Sequence, residues 1–351
     1  VPYYVFGRGS LAQLGDLLNP RREAVDGPVV YFVDHFFRDH ELIGRLPMEK
    51  GDQLHFVDSS SEPEVTRIDA FKEAVSAADS RTPCCVVGIG GGNALDTAKA
   101  VANLLTNPGK AEDYQGWELV KNPAVYKIGI PTLSGTGSEC SRTCVLTNIP
   151  KNLKLGMNSD YTVYDQLLLD PDLLATVPRD QYFYTGIDTF MHCVESLQGS
   201  YRNAIIDAFS VRAVQLCEEI FLSDDMMSED NREKMMIASY IGGMAAGNVG
   251  VIHPFSAGLG VVLHVAHGLG NCLALNVLGD IYPKEYKQFR TMIERQGVNL
   301  PTGICKDLTE EQYEGLYRGC IVHEKPLTNA LGPDFKQILT RENLIERYKS
   351  I

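Results

Sequence analysis

Cys84–Leu105 runs CCVVGIGGGNALDTAKAVANLL. A short apolar run comes first, then a cluster of glycines, then a stretch with helical spacing. Strand, loop and helix in that order make one unit of an α/β domain. The loop is Gly88-Ile89-Gly90-Gly91-Gly92-Asn93. Glycines here let the backbone approach a pyrophosphate, and the N-terminus of the following helix favours negative charge. Asn93 is placed as the helix N-cap, with Asp96 three residues on completing a capping box. The pattern is not GxGxxG, and taken alone it fits a tight turn as well as a phosphate loop. A second loop, Ser134-Gly135-Thr136-Gly137-Ser138, follows the apolar run YKIGIP and offers hydroxyls and backbone N–H groups to the same ligand.

Upstream, GPVVYFVD (Gly27–Asp34) is a continuous apolar run of the kind expected of a buried parallel strand. Asp34 at its end could accept hydrogen bonds from an adenosine ribose or could cap a helix. HFVDSSSEPEV predicts a further strand, followed by a helix opening near Pro63. Strand and helix alternate from the start to about residue 178. This predicts a parallel sheet with helices on both faces. After Pro178 no strand is evident and helical runs follow: Thr185–Leu197, Ala204–Phe221, Asn231–Ala246 and Ala257–Leu278. The expected organisation is an α/β nucleotide domain over 1–178 and an all-α domain over 179–351.

The helical half holds four candidate metal ligands. Asp188 and His192 lie four residues apart in GIDTFMHCVES, which on a helix puts both on one face with Cβ atoms about 6 Å apart. His253 lies in HPFSAG and His267 in AHGLGN, fourteen residues later. Three imidazoles and a carboxylate suit Fe(II), Zn(II) or another borderline divalent ion.

The chain has 351 residues, 44% hydrophobic and 22% charged, as in a globular protein of two domains. The net charge of −13 argues against a nucleic-acid partner, because nothing offsets phosphate repulsion over the whole surface. Nine cysteines are scattered without a CxxC pair, which predicts free, mostly buried thiols and a cytoplasmic location. No signal peptide is visible. The longest apolar stretch, Ser256–Leu278, is interrupted by His264, His267 and Asn271, so a buried helix pair is expected and not a membrane span.

These motifs together resemble the iron-containing alcohol dehydrogenases, which share a dehydroquinate synthase-like fold. GGGNALDTAKA looks like the family's GGGSxxDxAK, PTLSGTGSE like PTTAGTGSE, and LLDPDLLATVP like its DPxLxxxxP segment. The resemblance implies that Asp188, His192, His253 and His267 hold one divalent metal, Fe2+ or Zn2+. It places NAD(P) on Gly91, Gly92 and Asn93, near Thr132, Thr136 and Lys154, with Asp34 at the ribose favouring NAD. Asn93, Leu133 and Ser134 replace the family's serine, threonine and alanine. His264, three residues before a ligand, is a candidate proton relay beside His267.

The branch the chain most looks like is that of the 3-deoxy-D-manno-octulosonate 8-oxidases, which implies oxidation of the C8 hydroxyl of that sugar acid in lipopolysaccharide sugar synthesis. Arg142, Lys151, Lys154 and Arg179 are candidate partners for its carboxylate. The alternatives are an NAD-dependent dehydrogenase of a small alcohol or diol, and a dehydroquinate-synthase-like lyase. A homodimer is the expected assembly for an enzyme of this size.

Overall fold

The apolar runs become parallel strands in the computed structural model, which describes residues 3–351. In chain order the strands are β1 (Tyr3–Phe6), β2 (Val29–Asp34), β3 (Gln53–Val57), β4 (Cys85–Gly90), β5 (Gly116–Trp117), β6 (Lys127–Pro131), β7 (Thr143–Asn148), β8 (Leu153–Asn158) and β9 (Gln166–Leu169). Six of them form one sheet in the order β1-β9-β6-β4-β2-β3, with its neighbours parallel. Helices α1 (Leu14–Ala24), α2 (Val65–Ala78) and α3 (Gly92–Leu104) cover it.

The period of two along β2 shows how both faces are filled. Val30 and Phe32 pack in one cluster with Val65 and Ile68 of α2 and Ala98 and Val101 of α3. Val29, Tyr31 and Val33 pack in the other, with Leu14 and Leu18 of α1. A strand buried on both faces needs apolar residues at every position, which is why VVYFV carries no polar alternation.

The alternation of strand and helix does not persist to residue 178. After β6 no helix returns to the sheet. The chain instead builds a second sheet of three strands, ordered β5-β8-β7. Its strands carry half-buried, mixed sequences such as TCVLTN and LKLGMN. Neither gives the continuous apolar run that revealed β2, β4 and β6.

Two compact units emerge. The first comprises Val1–Leu133, Ser138–Ile149 and Lys154–Thr176; the second comprises Ser134–Gly137, Pro150–Leu153 and Val177–Ile351. The second unit is helical: α4 (Arg179–Gln198), α5 (Ala204–Phe221), α6 (Glu229–Gly242), α7 (Ile252–Leu263), α8 (His267–Val277), α9 (Pro283–Gln296), α10 (Glu310–Ile321), α11 (Glu324–Leu331), α12 (Phe335–Ile338) and α13 (Arg341–Lys349). Among the described residues no single helix is long and apolar enough to cross a membrane. All nine cysteines are buried thiols outside any disulfide.

The apolar stretch Ala257–Leu278 is divided between two helices, as its interrupting histidines suggest, and the break falls at His264. His264 ends α7 in the left-handed region, with φ 55° and ψ 30°. The chain then turns through Val265 and Ala266, and His267 opens α8. A non-glycine residue at this position costs about 1 kcal/mol. His264→Gly should therefore raise the free energy of unfolding by roughly that amount, measured by urea denaturation. Metal content should not change, since among the described residues no hydrogen bond joins the exposed His264 ring to the four ligands.

Candidate metal and nucleotide sites

Helix α4 supplies the centre of the candidate metal site. It runs for twenty residues, and the four-residue step from Asp188 to His192 brings the His192 Nε2 to 3.7 Å from Asp188 Oδ1. His253 enters from the first turn of α7, with Nε2 3.1 Å from Asp188 Oδ1. His267 enters from the first residue of α8, with Nε2 3.5 Å from Asp188 Oδ2. One donor atom from each of the four lies within 4.8 Å of the others. The His192 and His253 rings stack at 4.5 Å between centroids.

Gly268 is what allows α8 to come so close to α4. A Cβ there would sit 2.5 Å from the Tyr184 carbonyl oxygen, inside any real contact distance. Gly268→Ala should thus push His267 away from Asp188. The expected results are a loss of roughly 1–3 kcal/mol of stability by denaturant titration and weaker metal retention on dialysis.

The electrostatics suit a cation. Burial alone would push the Asp188 carboxyl up, but His192, His267 and His253 more than reverse this and hold it below the usual carboxylate range. Burial pushes His192 down to about 4, against the pull of Asp188. At neutral pH this imidazole is neutral and has a lone pair to give. Burial also acts to lower His253, but Glu195 and Asp188 outweigh it and push the ring up to about 9. Asp188 is fully buried, yet its Oδ2 has no hydrogen-bond partner. A buried carboxylate oxygen without a partner is costly unless an ion is its ligand. The His267 side chain is the least buried of the four, at 29% exposure, against 5% for His192 and 11% for His253. The site is therefore open on that side, as a catalytic metal requires.

Two further residues belong here that the sequence reading did not single out. Asn271, fully buried and one turn beyond His267, donates from Nδ2 to Asp188 Oδ1 at 2.7 Å. Glu195, one turn beyond His192, meets His253 Nδ1 at 2.5 Å. Both follow from the three- and four-residue periodicity of helices that carry the candidate ligands.

In the first unit the candidate nucleotide residues gather at the C-terminal ends of neighbouring strands. Asp34 ends β2, Gly90 ends β4 beside Pro131 of β6, and Thr132 follows with its N–H on the Gly90 carbonyl at 3.0 Å. Gly90 has φ 152°, and a Cβ on it would lie 2.6 Å from Ala94 Cβ and 2.9 Å from that of Asp34. Only glycine lets the loop lie this close to both.

The cap expected at Asn93 is not there. The N-cap of α3 is Gly91, and Gly91 and Gly92 carry no side chain to close the helix start. Asn93 is already inside the helix. Its amide donates to the carbonyls of Ser61 at 3.0 Å and Ser59 at 3.4 Å. Asp96 does not turn back to close a capping box either: it accepts from Ser138 Oγ and from Val145 N. The result is a helix start with no side-chain cap and no acidic residue in its first turn, which suits a phosphate.

Asp34 does act as a cap. Its Oδ1 accepts from Phe36 N at 3.0 Å and Ser59 Oγ at 2.9 Å. Lys154, buried on β8, is paired with Glu62 at 3.0 Å. Thr136 falls in Ser134–Gly137, which groups with the second unit. That segment is anchored there by Gly135: its N–H donates to Ser239 Oγ, and its carbonyl accepts from Thr189 Oγ1, both at 2.8 Å.

The chain is similar to known proteins along most of its length. Residues 2–171 match the model described as iron-containing alcohol dehydrogenase, and residues 182–315 match that of the family's C-terminal region. The chain belongs to the iron-containing alcohol dehydrogenase family. The sulfoacetaldehyde reductase of Bilophila wadsworthia is 34% identical over 220 residues, a stretch covering 61% of this chain and 56% of that relative. The 1-propanol dehydrogenase of Citrobacter freundii is 30% identical over 275 residues, covering 77% of this chain and 69% of that one. Among solved structures, the sulfoacetaldehyde reductase of Bifidobacterium kashiwanohense in complex with NAD+ superposes with a TM-score of 0.79. It is 24% identical and covers 99% of this chain and 96% of its own, a likeness of fold.

Proposed function

We propose that this chain is a metal- and NAD-dependent oxidoreductase that interconverts a primary alcohol and its aldehyde. The observation that carries the reading is the convergence of Asp188, His192, His253 and His267 on one point. A bound divalent ion would polarise the substrate oxygen and lower its pKa, and a bound nicotinamide would exchange the hydride. The protein's own part is to hold and orient. The four ligands leave the His267 side open to substrate. Gly91, Gly92 and Asn93 present the start of α3 to the pyrophosphate, with Thr132 and Lys154 of the same unit as further contacts. Asp34 receives the ribose. His264, exposed at the end of α7, is the candidate to pass the hydroxyl proton to water.

A small alcohol or aldehyde is the substrate class best supported, in line with what the two curated relatives are named for. The octulosonate reading rests on the branch resemblance alone, and three of the four candidate partners for its carboxylate are engaged elsewhere. Arg142 pairs with Glu118 and Asp160, Lys154 with Glu62, and Arg179 with Asp180 and Gln296. The test is turnover of metal-reconstituted protein with 1-propanol, 1,2-propanediol, sulfoacetaldehyde and 3-deoxy-octulosonate, read for NADH and peroxide. Turnover of the small substrates with stoichiometric NADH change is expected. Octulosonate as the one good substrate would reverse the order, and products without net NADH would indicate a lyase.

A further inference from the structure

Glu195 is 1% exposed, on the same helix as Asp188 and His192, and both of its oxygens are committed. Oε1 accepts from Ile252 N at 2.6 Å and from Tyr282 Oη at 3.3 Å. Oε2 lies 2.5 Å from His253 Nδ1. The other nitrogen of that ring, Nε2, is the one 3.1 Å from Asp188 Oδ1, within the ligand cluster. So α4 holds a single imidazole between two carboxylates, one on each nitrogen. His192 has no such support, and its Nδ1 is buried without a hydrogen-bond partner.

We propose that Glu195 is a positioning residue that locks His253 with its proton on Nδ1, so that Nε2 presents its lone pair to the metal. An ionised carboxylate can only accept, so the nitrogen facing it must donate. Partners of this kind set the tautomer, ring angle and basicity of a metal-bound histidine. The N–H of Ile252, the residue before His253, is held by the same carboxylate, which fixes the backbone as well as the ring. This inference rests on the metal site proposed above and adds a residue that does not touch the ion.

Glu195→Gln is the discriminating substitution. The glutamine oxygen can satisfy Ile252 N or His253 Nδ1, but not both. If the oxygen stays on Ile252, the NH2 faces Nδ1, which must then accept, and the ring proton moves to Nε2, where it blocks the ion. The experiment titrates metal-stripped wild type and E195Q with Co(II), following the visible bands, with circular dichroism as the check on folding. Co(II) binding should weaken about 10- to 100-fold in E195Q, with altered bands and an unchanged far-UV spectrum. Equal affinity and equal bands would overturn the proposal while leaving the metal site standing. No Co(II) binding by wild type would overturn both. A second measurement needs no variant: nitrogen-15 NMR of the zinc-loaded wild-type protein should show His253 protonated at Nδ1. A bare Nδ1 would overturn the proposal even if E195Q does not fold.

Discussion

His267→Ala should leave the purified protein with substoichiometric metal and turnover reduced by on the order of 10³-fold. The magnitude follows from the chemistry assigned to the ion, since loss of Lewis-acid stabilisation is worth several kcal/mol, and each 1.36 kcal/mol is tenfold in rate. The residue is chosen because its ring is the most exposed of the four, at 29%. Its removal opens a mouth and does not hollow a core, so the fold should survive. Asp188→Asn is a harsher change. That carboxylate is fully buried and within reach of all three imidazoles and of the Asn271 amide, so its loss disturbs the whole cluster. Elemental analysis and thermal melts with and without added metal check the prediction. Wild type should gain stability with metal, by linkage, and H267A should not. Full occupancy with normal turnover in H267A would remove His267 from the ligand set.

How far the sequence was legible depends on whether a signal was local. Strands β2, β4 and β6 were visible because burial on both faces leaves a continuous apolar run. The closeness of Asp188 and His192 was visible because helical spacing is local too, and the grouping with His253 and His267 came with the family motifs. The small β5-β8-β7 sheet was not visible, since its strands are half-buried and its order joins residues far apart in sequence. The break at His264 was only partly legible. An apolar stretch interrupted by histidines suggested two helices, but a left-handed histidine gives no signal of the kind a glycine or proline would. Asn93 shows the opposite failure. An asparagine after a glycine run has the local chemistry of a cap, yet the tertiary fold gives its amide to Ser59 and Ser61. Glu195 and Asn271 were within reach of the helical period but carried no motif that set them apart from ordinary buried polar residues.

Asp34 should make NAD the preferred nucleotide, and Asp34→Ser should bring NADP binding within reach. Its place in the fold supports the role: it ends β2, beside Gly90 and the open start of α3. The contacts it makes inside the protein fall on one oxygen, Oδ1, which accepts from Phe36 N and Ser59 Oγ and lies 3.5 Å from His35 Nδ1. Among the described residues no hydrogen bond or ion pair falls on Oδ2, so the carboxylate can cap the turn after β2 and still accept from a ribose. The two roles left open by the sequence are therefore compatible. A 2′-phosphate brought to about 4 Å of this charge would meet a repulsion of roughly 1–4 kcal/mol, or about fivefold to nearly a thousandfold in affinity. Serine keeps the capping acceptor for Phe36 N and removes the charge, so stability should change little while discrimination falls by that factor. Fluorescence titration of wild type and D34S with NADH and NADPH measures it. Wild-type protein that binds NADPH as tightly as NADH would place the ribose elsewhere.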